Sequence, residues 1–79
     1  MPYEVMRYIR SNNWKNFAFV EKVGKELVRN GIFDMVSLCS ILEREPEKLL
    51  DMRNIGKKSF VTIESICSTY LREIKENKF

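Results

Sequence analysis

The apolar positions of this chain recur at three- and four-residue intervals almost throughout, which predicts helices joined by short connections. Residues 3–10 carry Tyr3, Met6 and Ile9 on one helical stripe, and Ser11, Asn12 and Asn13 then break it. Phe17 and Phe19 lie two apart, which suits an extended segment laying both rings on the core; a helix starting ahead of Val20 is the alternative. The stripe Val20, Val23, Leu27 and Val28 predicts a helix over 20–30. Gly31, with Asn30 beside it, ends that helix as a left-handed cap, after which Ile32 and Phe33 pack back. Asp34 suits the N-cap of a helix over 35–42, with Leu38, Ile41 and Leu42 facing inward. Glu45-Pro46 opens a short helix over 46–52, since proline at the first helical position gives up a donor that had no partner. Leu49, Leu50 and Met52 are its expected core residues. A last helix over 58–75 puts Phe60, Ile63, Ile66, Cys67, Tyr70 and Ile74 on its buried side, and Lys75, Lys78 and Phe79 are expected to fray.

Strand-like alternation is almost absent, so the expected fold is all-α, a compact bundle of four to five short helices. Its core is expected to contain Leu27, Ile32, Leu38, Leu49, Leu50, Ile55, Ile63 and Cys67. Gly24 interrupts the helical pattern at a cost of about 1 kcal/mol against alanine. A close crossing by another helix, or close approach to a ligand, would explain it.

Composition narrows the function classes. At 79 residues the chain is one domain, and 44% hydrophobic residues are too many for a disordered tail. Fourteen basic residues against eleven acidic give a net charge of +3, which suits an anionic partner without requiring one. There is no histidine and no Cys-x-x-Cys pair, so a zinc site lacks ligands. Cys39 and Cys67 sit at apolar helical positions and read as reduced buried thiols, with a disulfide as the alternative. Glu43, Glu45 and Glu47 alternate with Arg44, Pro46 and Lys48, as in a solvated connection rather than a paired-carboxylate site. No nucleophile or phosphate-loop motif occurs, so neither an enzyme nor a cofactor is expected. No apolar run approaches membrane-span length and no signal-peptide core opens the chain. A cytoplasmic protein without a membrane partner is the expectation.

The densest chemistry lies at residues 53–59, Arg-Asn-Ile-Gly-Lys-Lys-Ser, between the short leucine-bearing helix and the long final one. Gly56 lets a ligand approach the backbone closely, and the first amides of the next helix are unpaired donors at the positive end of its dipole. Lys57, Lys58 and Ser59 add charge and a hydroxyl there. The bland reading of the same residues is a C-cap followed by surface lysines.

The run Leu-Leu-x-x-Arg-Asn-Ile-Gly-Lys-Lys-Ser at 49–59 resembles the helix-hairpin-helix signature of the C-terminal domain of the bacterial RNA polymerase alpha subunit. Leu-x-x-x-Gly-Ile at 27–32 looks like the end of that family's first helix, and Ile63-Glu64 fits its last. The resemblance covers about 17–71. It implies four short helices after an extended lead-in, binding to the backbone and A/T-rich minor groove of DNA, and contacts with RNA polymerase or a transcription factor. By position, Gly56, Lys58 and Ser59 match the family's hairpin contacts. The family's groove-inserting arginine falls at Lys22 and its neighbouring asparagine at Lys25. Lysine keeps the charge but loses the planar fork suited to a narrow groove. The implied DNA-binding set is therefore Lys22, Lys25, Arg53, Asn54, Gly56, Lys57, Lys58 and Ser59. The link from Ile32 to Leu49 is about two residues longer than the family's.

On this reading, residues 1–16 form a helix-like extension and 17–75 the polymerase-like domain. The extension does not look like the flexible linker of the alpha subunit, which points to a free-standing, nucleoid-associated protein rather than an excised piece. The alternative function is a protein-interaction module of the transcription machinery with weak or no DNA binding. There, Tyr3, Tyr8 and Trp14 would be exposed to dock a partner, whereas core filling is their plainer role.

Overall fold

The computed structural model describes residues 3–76. Those residues form five helices: α1 Val5–Arg10, α2 Phe17–Arg29, α3 Met35–Arg44, α4 Pro46–Leu50 and α5 Lys57–Lys75. Among the described residues there is no strand, only a lone antiparallel bridge between Glu4 and Asp34. The all-α expectation holds. No described helix is long and apolar enough to cross a membrane.

One core runs through all five helices. Val5, Tyr8 and Ile9 of α1 join Val23, Leu27, Leu38, Leu49, Ile63, Ile66 and Cys67, each at most 2% exposed. Within the helix-like extension expected over 1–16, α1 supplies three fully buried side chains to the centre of the core. The stripe differs: Val5, Tyr8 and Ile9 are buried, while Tyr3 precedes the helix and Met6 is half-buried. Tyr8 lies at the middle of an aromatic cluster, edge-on to Tyr3, Trp14 and Tyr70 with centroids 5.6, 6.2 and 5.1 Å away. Tyr8 thus fills the core, the plainer role expected of the N-terminal aromatics, with Tyr3 and Trp14 half-buried against it.

Local polar groups hold α1 in place. Three successive carbonyls at its C-terminus, of Arg7, Tyr8 and Ile9, accept from Ser11 Oγ, Asn12 Nδ2 and Trp14 Nε1 at 2.7, 2.9 and 2.9 Å. At the other end Val5 N donates to the Phe33 carbonyl at 2.8 Å, and Met35 N donates to the Tyr3 carbonyl at 2.7 Å. The starts of α1 and α3 are thereby clasped together. Asp34 caps α3 as expected, its carboxylate accepting from Ser37 N and Ser37 Oγ, both at 2.9 Å.

α2 lies against α1 at Gly24. A Cβ there would come within 2.5 Å of Ile9 Cδ1 and 2.7 Å of Met6 Sδ, so the glycine serves a close helix crossing. α2 begins at Phe17, where Val20 N donates to the Asn16 carbonyl at 3.0 Å, and no extended lead-in is present. Helical residues two apart point about 200° away from each other, so both rings cannot face the core. Phe19 packs and Phe17 is exposed. Gly31 has φ 85°, the left-handed cap expected after α2.

Of the two residues expected to pack back after Gly31, Ile32 is buried but Phe33 is exposed, and the other corrections concern amphipathic edges. α3 runs to Arg44, with Ile41 and Leu42 half-buried. α4 ends at Leu50, two residues early; its five residues offer one apolar side, which Leu49 takes, leaving Leu50 exposed and Met52 half-buried. α5 starts at Lys57 and spans about 28 Å against about 20 Å for α2, so its last turn outruns its partner and Ile74 is exposed. Lys75 closes that helix; the fraying expected at Lys78 and Phe79 falls outside the described residues. Cys39 and Cys67 are free thiols in mutual contact. The Cys67 S–H donates to Cys39, which holds Cys39 below its ordinary value; the same bond and burial push Cys67 up.

Gly24→Ala should gain about 1 kcal/mol in helix propensity and lose about 2 kcal/mol to overpacking, a net loss near 1 kcal/mol by urea denaturation. Ile9→Val should cost less in that background than in the parent; strict additivity would argue against the crossing.

Burial, then donation of its hydroxyl to Glu73 Oε1 at 3.1 Å, pushes the Tyr8 phenol well above its ordinary value. Above about pH 10 an unfolded chain loses this proton and the folded one keeps it. The unfolded state then binds fewer protons, so stability falls as pH rises. Tyr8→Phe should flatten that alkaline limb, measured as urea midpoints on either side of about pH 10. An equally steep limb in the variant would assign it to other groups.

Candidate nucleic-acid interface

The turn joining α4 to α5 is built by its asparagine. Asn54 has φ 67°, a left-handed conformation that asparagine tolerates better than most residues. Gly56 has φ −99° and ψ −168°, an extended conformation open to any residue. A Cβ on Gly56 would meet nothing within 4 Å. Its glycine is therefore not required by the fold. Ile55 is buried and pins the turn to the core.

Gly56 is the N-cap of α5, and no side chain caps that end. No acidic residue lies in the first turn of α5. The leading amides are thus left as donors toward solvent, at the positive pole of a 19-residue helix. Lys58 leans back over the Phe19 ring of α2, with Nζ 4.5 Å from its centroid. This contact ties the first turn of α5 to the first turn of α2.

Beside it lies a concavity of about 270 Å³ lined by Phe19, Lys22, Val23, Glu26, Asn54 and Ser59. Of the expected contact residues, the structure brings Lys22, Asn54 and Ser59 together here, with Lys58 alongside on Phe19. Arg53, Gly56 and Lys57 are exposed on the turn and do not line the hollow. Lys25 lies one helical turn from Lys22 but reaches toward Glu21, Nζ to Oε1 at 3.9 Å. Glu21 also takes Arg10 Nε at 3.4 Å. Lys22, Arg53, Lys57 and Lys58 make no ion pair among the described residues.

Sequence reasoning missed Glu26 and Phe19. Glu26 is the one charged residue in the buried set, at 8% exposure. Its Oε1 accepts from Arg29 Nη1 at 2.7 Å and its Oε2 from Asn54 Nδ2 at 3.4 Å. It therefore links α2 to the left-handed residue of the turn, with its charge balanced by Arg29. An acid among helical polar residues carries no sequence mark of burial; its place beside Leu27 and three residues before Arg29 was the available hint.

Comparison with protein-family models, curated proteins and solved structures finds no match. The functional reading rests on the residues themselves.

Asn54→Gly should keep stability within about 0.5 kcal/mol, since glycine adopts φ > 0 freely, whereas Asn54→Val should lose about 2 kcal/mol. Gly56→Ala should also stay within about 0.5 kcal/mol. Denaturant midpoints check all three, and a strongly destabilised Gly56→Ala would mean that the turn needs glycine there.

Proposed function

We propose that this chain is a DNA-binding module that contacts the duplex backbone and minor groove and acts in transcription or its regulation. The observation that carries the reading is the uncapped start of α5 facing solvent beside Lys22, Asn54 and Ser59 of one concavity, with Lys58 next to them. Amides at a helix N-terminus favour an oxyanion, and unpaired lysines around them add the long-range attraction. The polymerase-like run at 49–59 supports the same assignment: Gly56, Lys58 and Ser59 meet the backbone, with Arg53, Asn54 and Lys57 at its edge. Lys22 enters the minor groove and Lys25 lies one turn along the same helix. The binding involves no cofactor and no catalytic step. Its setting is the bacterial nucleoid in the cytoplasm, with RNA polymerase or a transcription factor as protein partner.

The interaction-module alternative keeps in its favour the lysine at position 22, where the resemblance has arginine, while burial of Tyr8 weakens its aromatic surface.

Phosphate contacts by Lys22, Lys25, Lys57 and Lys58 should contribute about −3.6 to the slope of log K against log salt. Lys22→Arg should strengthen binding to A/T-rich duplex more than to G/C-rich duplex, because guanidinium sheds water more readily and fits a narrow groove. Gly56→Ala and Lys58→Ala should weaken both duplexes alike. A slope near zero, with hairpin amides unmoved by duplex in NMR titration, would transfer the reading to a protein-interaction module.

A further inference from the structure

A second and larger cleft, of about 530 Å³, lies on the seam between α2 and α5. It lies along the same two helices as the hairpin concavity, with a separate set of lining residues. α2 lends Phe19, Lys22 and Val23 to the first hollow and Asn16 and Val20 to the second. α5 lends Ser59 to the first, then Thr62, Ser65, Thr69 and Arg72 to the second. Lys58, Thr62, Ser65, Thr69 and Arg72 are spaced by four, three, four and three residues, the register of a single helical face. Lys15, from the loop before α2, lies across the cleft from this face.

The lining combines the apolar side chains of Trp14, Val20 and Val61 with polar and basic groups that suit an anion. It holds two cations, Lys15 and Arg72, and no carboxylate. Neither cation makes an ion pair among the described residues. Ser65 and Thr69 spend their hydroxyls on no described partner, while Thr62 Oγ1 donates to the Lys58 carbonyl at 3.0 Å. Glu73 of α5 is outside the cleft and accepts from the Tyr8 hydroxyl. From Lys58 to Arg72 the face extends about 21 Å, the rise of about six nucleotides along one strand of a duplex.

We propose that this cleft is a second phosphate-backbone subsite, which takes the nucleic-acid strand as it leaves the hairpin and holds it between Lys15 and Arg72. The inference rests on the DNA-binding reading above. Lys15 and Arg72 neutralise two phosphates; Ser65 and Thr69 donate hydroxyl protons to their oxygens. Contacts of this kind carry no sequence information, so the subsite lengthens the footprint and raises affinity for all duplexes alike.

The test uses the full chain and a duplex long enough to cover both clefts. With six phosphates neutralised in all, the salt slope should be about −5.4, falling to about −3.6 in the Lys15→Gln/Arg72→Gln double variant. Asn16 and Thr69 amides of the parent should shift on adding duplex, and inorganic phosphate at the same phosphate concentration should not reproduce those shifts. An unchanged slope in the double variant, with Gly56–Ser59 amides still shifting, would overturn the subsite and leave the hairpin reading intact. Equal shifts with inorganic phosphate would overturn it in favour of a free-anion site. If neither hairpin nor cleft amides respond to duplex, both readings fall together.

Discussion

The close crossing of α1 over α2 at Gly24 is the contact on which the rest of this small fold depends. α1 has six residues and cannot persist as an isolated helix. It survives because its apolar face meets the backbone of α2 without an intervening Cβ, with Ile9 and Met6 against Gly24. That approach seats Tyr8 among Tyr3, Trp14 and Tyr70 and so joins the first and last helices. Ser11, Asn12 and Trp14 then satisfy the carbonyls that so short a helix leaves open. The N-terminal segment is therefore a structural member of the bundle.

The crossing also assigns the two sides of α2. One side is covered by α1, and the other faces α5 and the turn before it. Glu26, on that second side, binds Asn54 and so links α2 to the turn. A buried carboxylate close to a basic surface would oppose anion binding if it stood alone. Arg29 at 2.7 Å offsets it, while Arg29 itself stays largely in solvent. Phe19 plays the parallel role for Lys58, attracting the ammonium to its ring face while leaving its donors free to point outward.

Charge is divided unevenly over the surface. Arg10, Lys25, Arg29 and Lys48 face carboxylates. Lys15, Lys22, Lys58 and Arg72 face none among the described residues and lie along the α2–α5 seam. A net charge of only +3 thus conceals a strip of unopposed cations, and such a strip, more than the total, is what an anionic polymer senses.

Helix existence was legible in the sequence because the 3.6-residue period, Asp34, Pro46 and Gly31 are local signals with local causes. The basic turn was legible for the same reason. Where the chain alone fell short, a long-range partner decided the outcome. Phe17–Phe19 became helical because nothing in those residues breaks the hydrogen bonding to the Asn16 carbonyl, and helical geometry then turns only Phe19 toward the core. Leu50 and Ile74 share the composition of core residues but lie where no neighbour reaches them. Asn54, not Gly56, took the left-handed position of the turn, and Glu26 was buried beside it, through a contact 28 residues apart in the chain. By itself the sequence determined the all-α class and the rough positions of most helices. Only the tertiary structure decided that α1 belongs to the core and that Lys22, Asn54 and Ser59 share one hollow, because burial and juxtaposition depend on contacts between segments distant in the chain, and no local pattern encodes them.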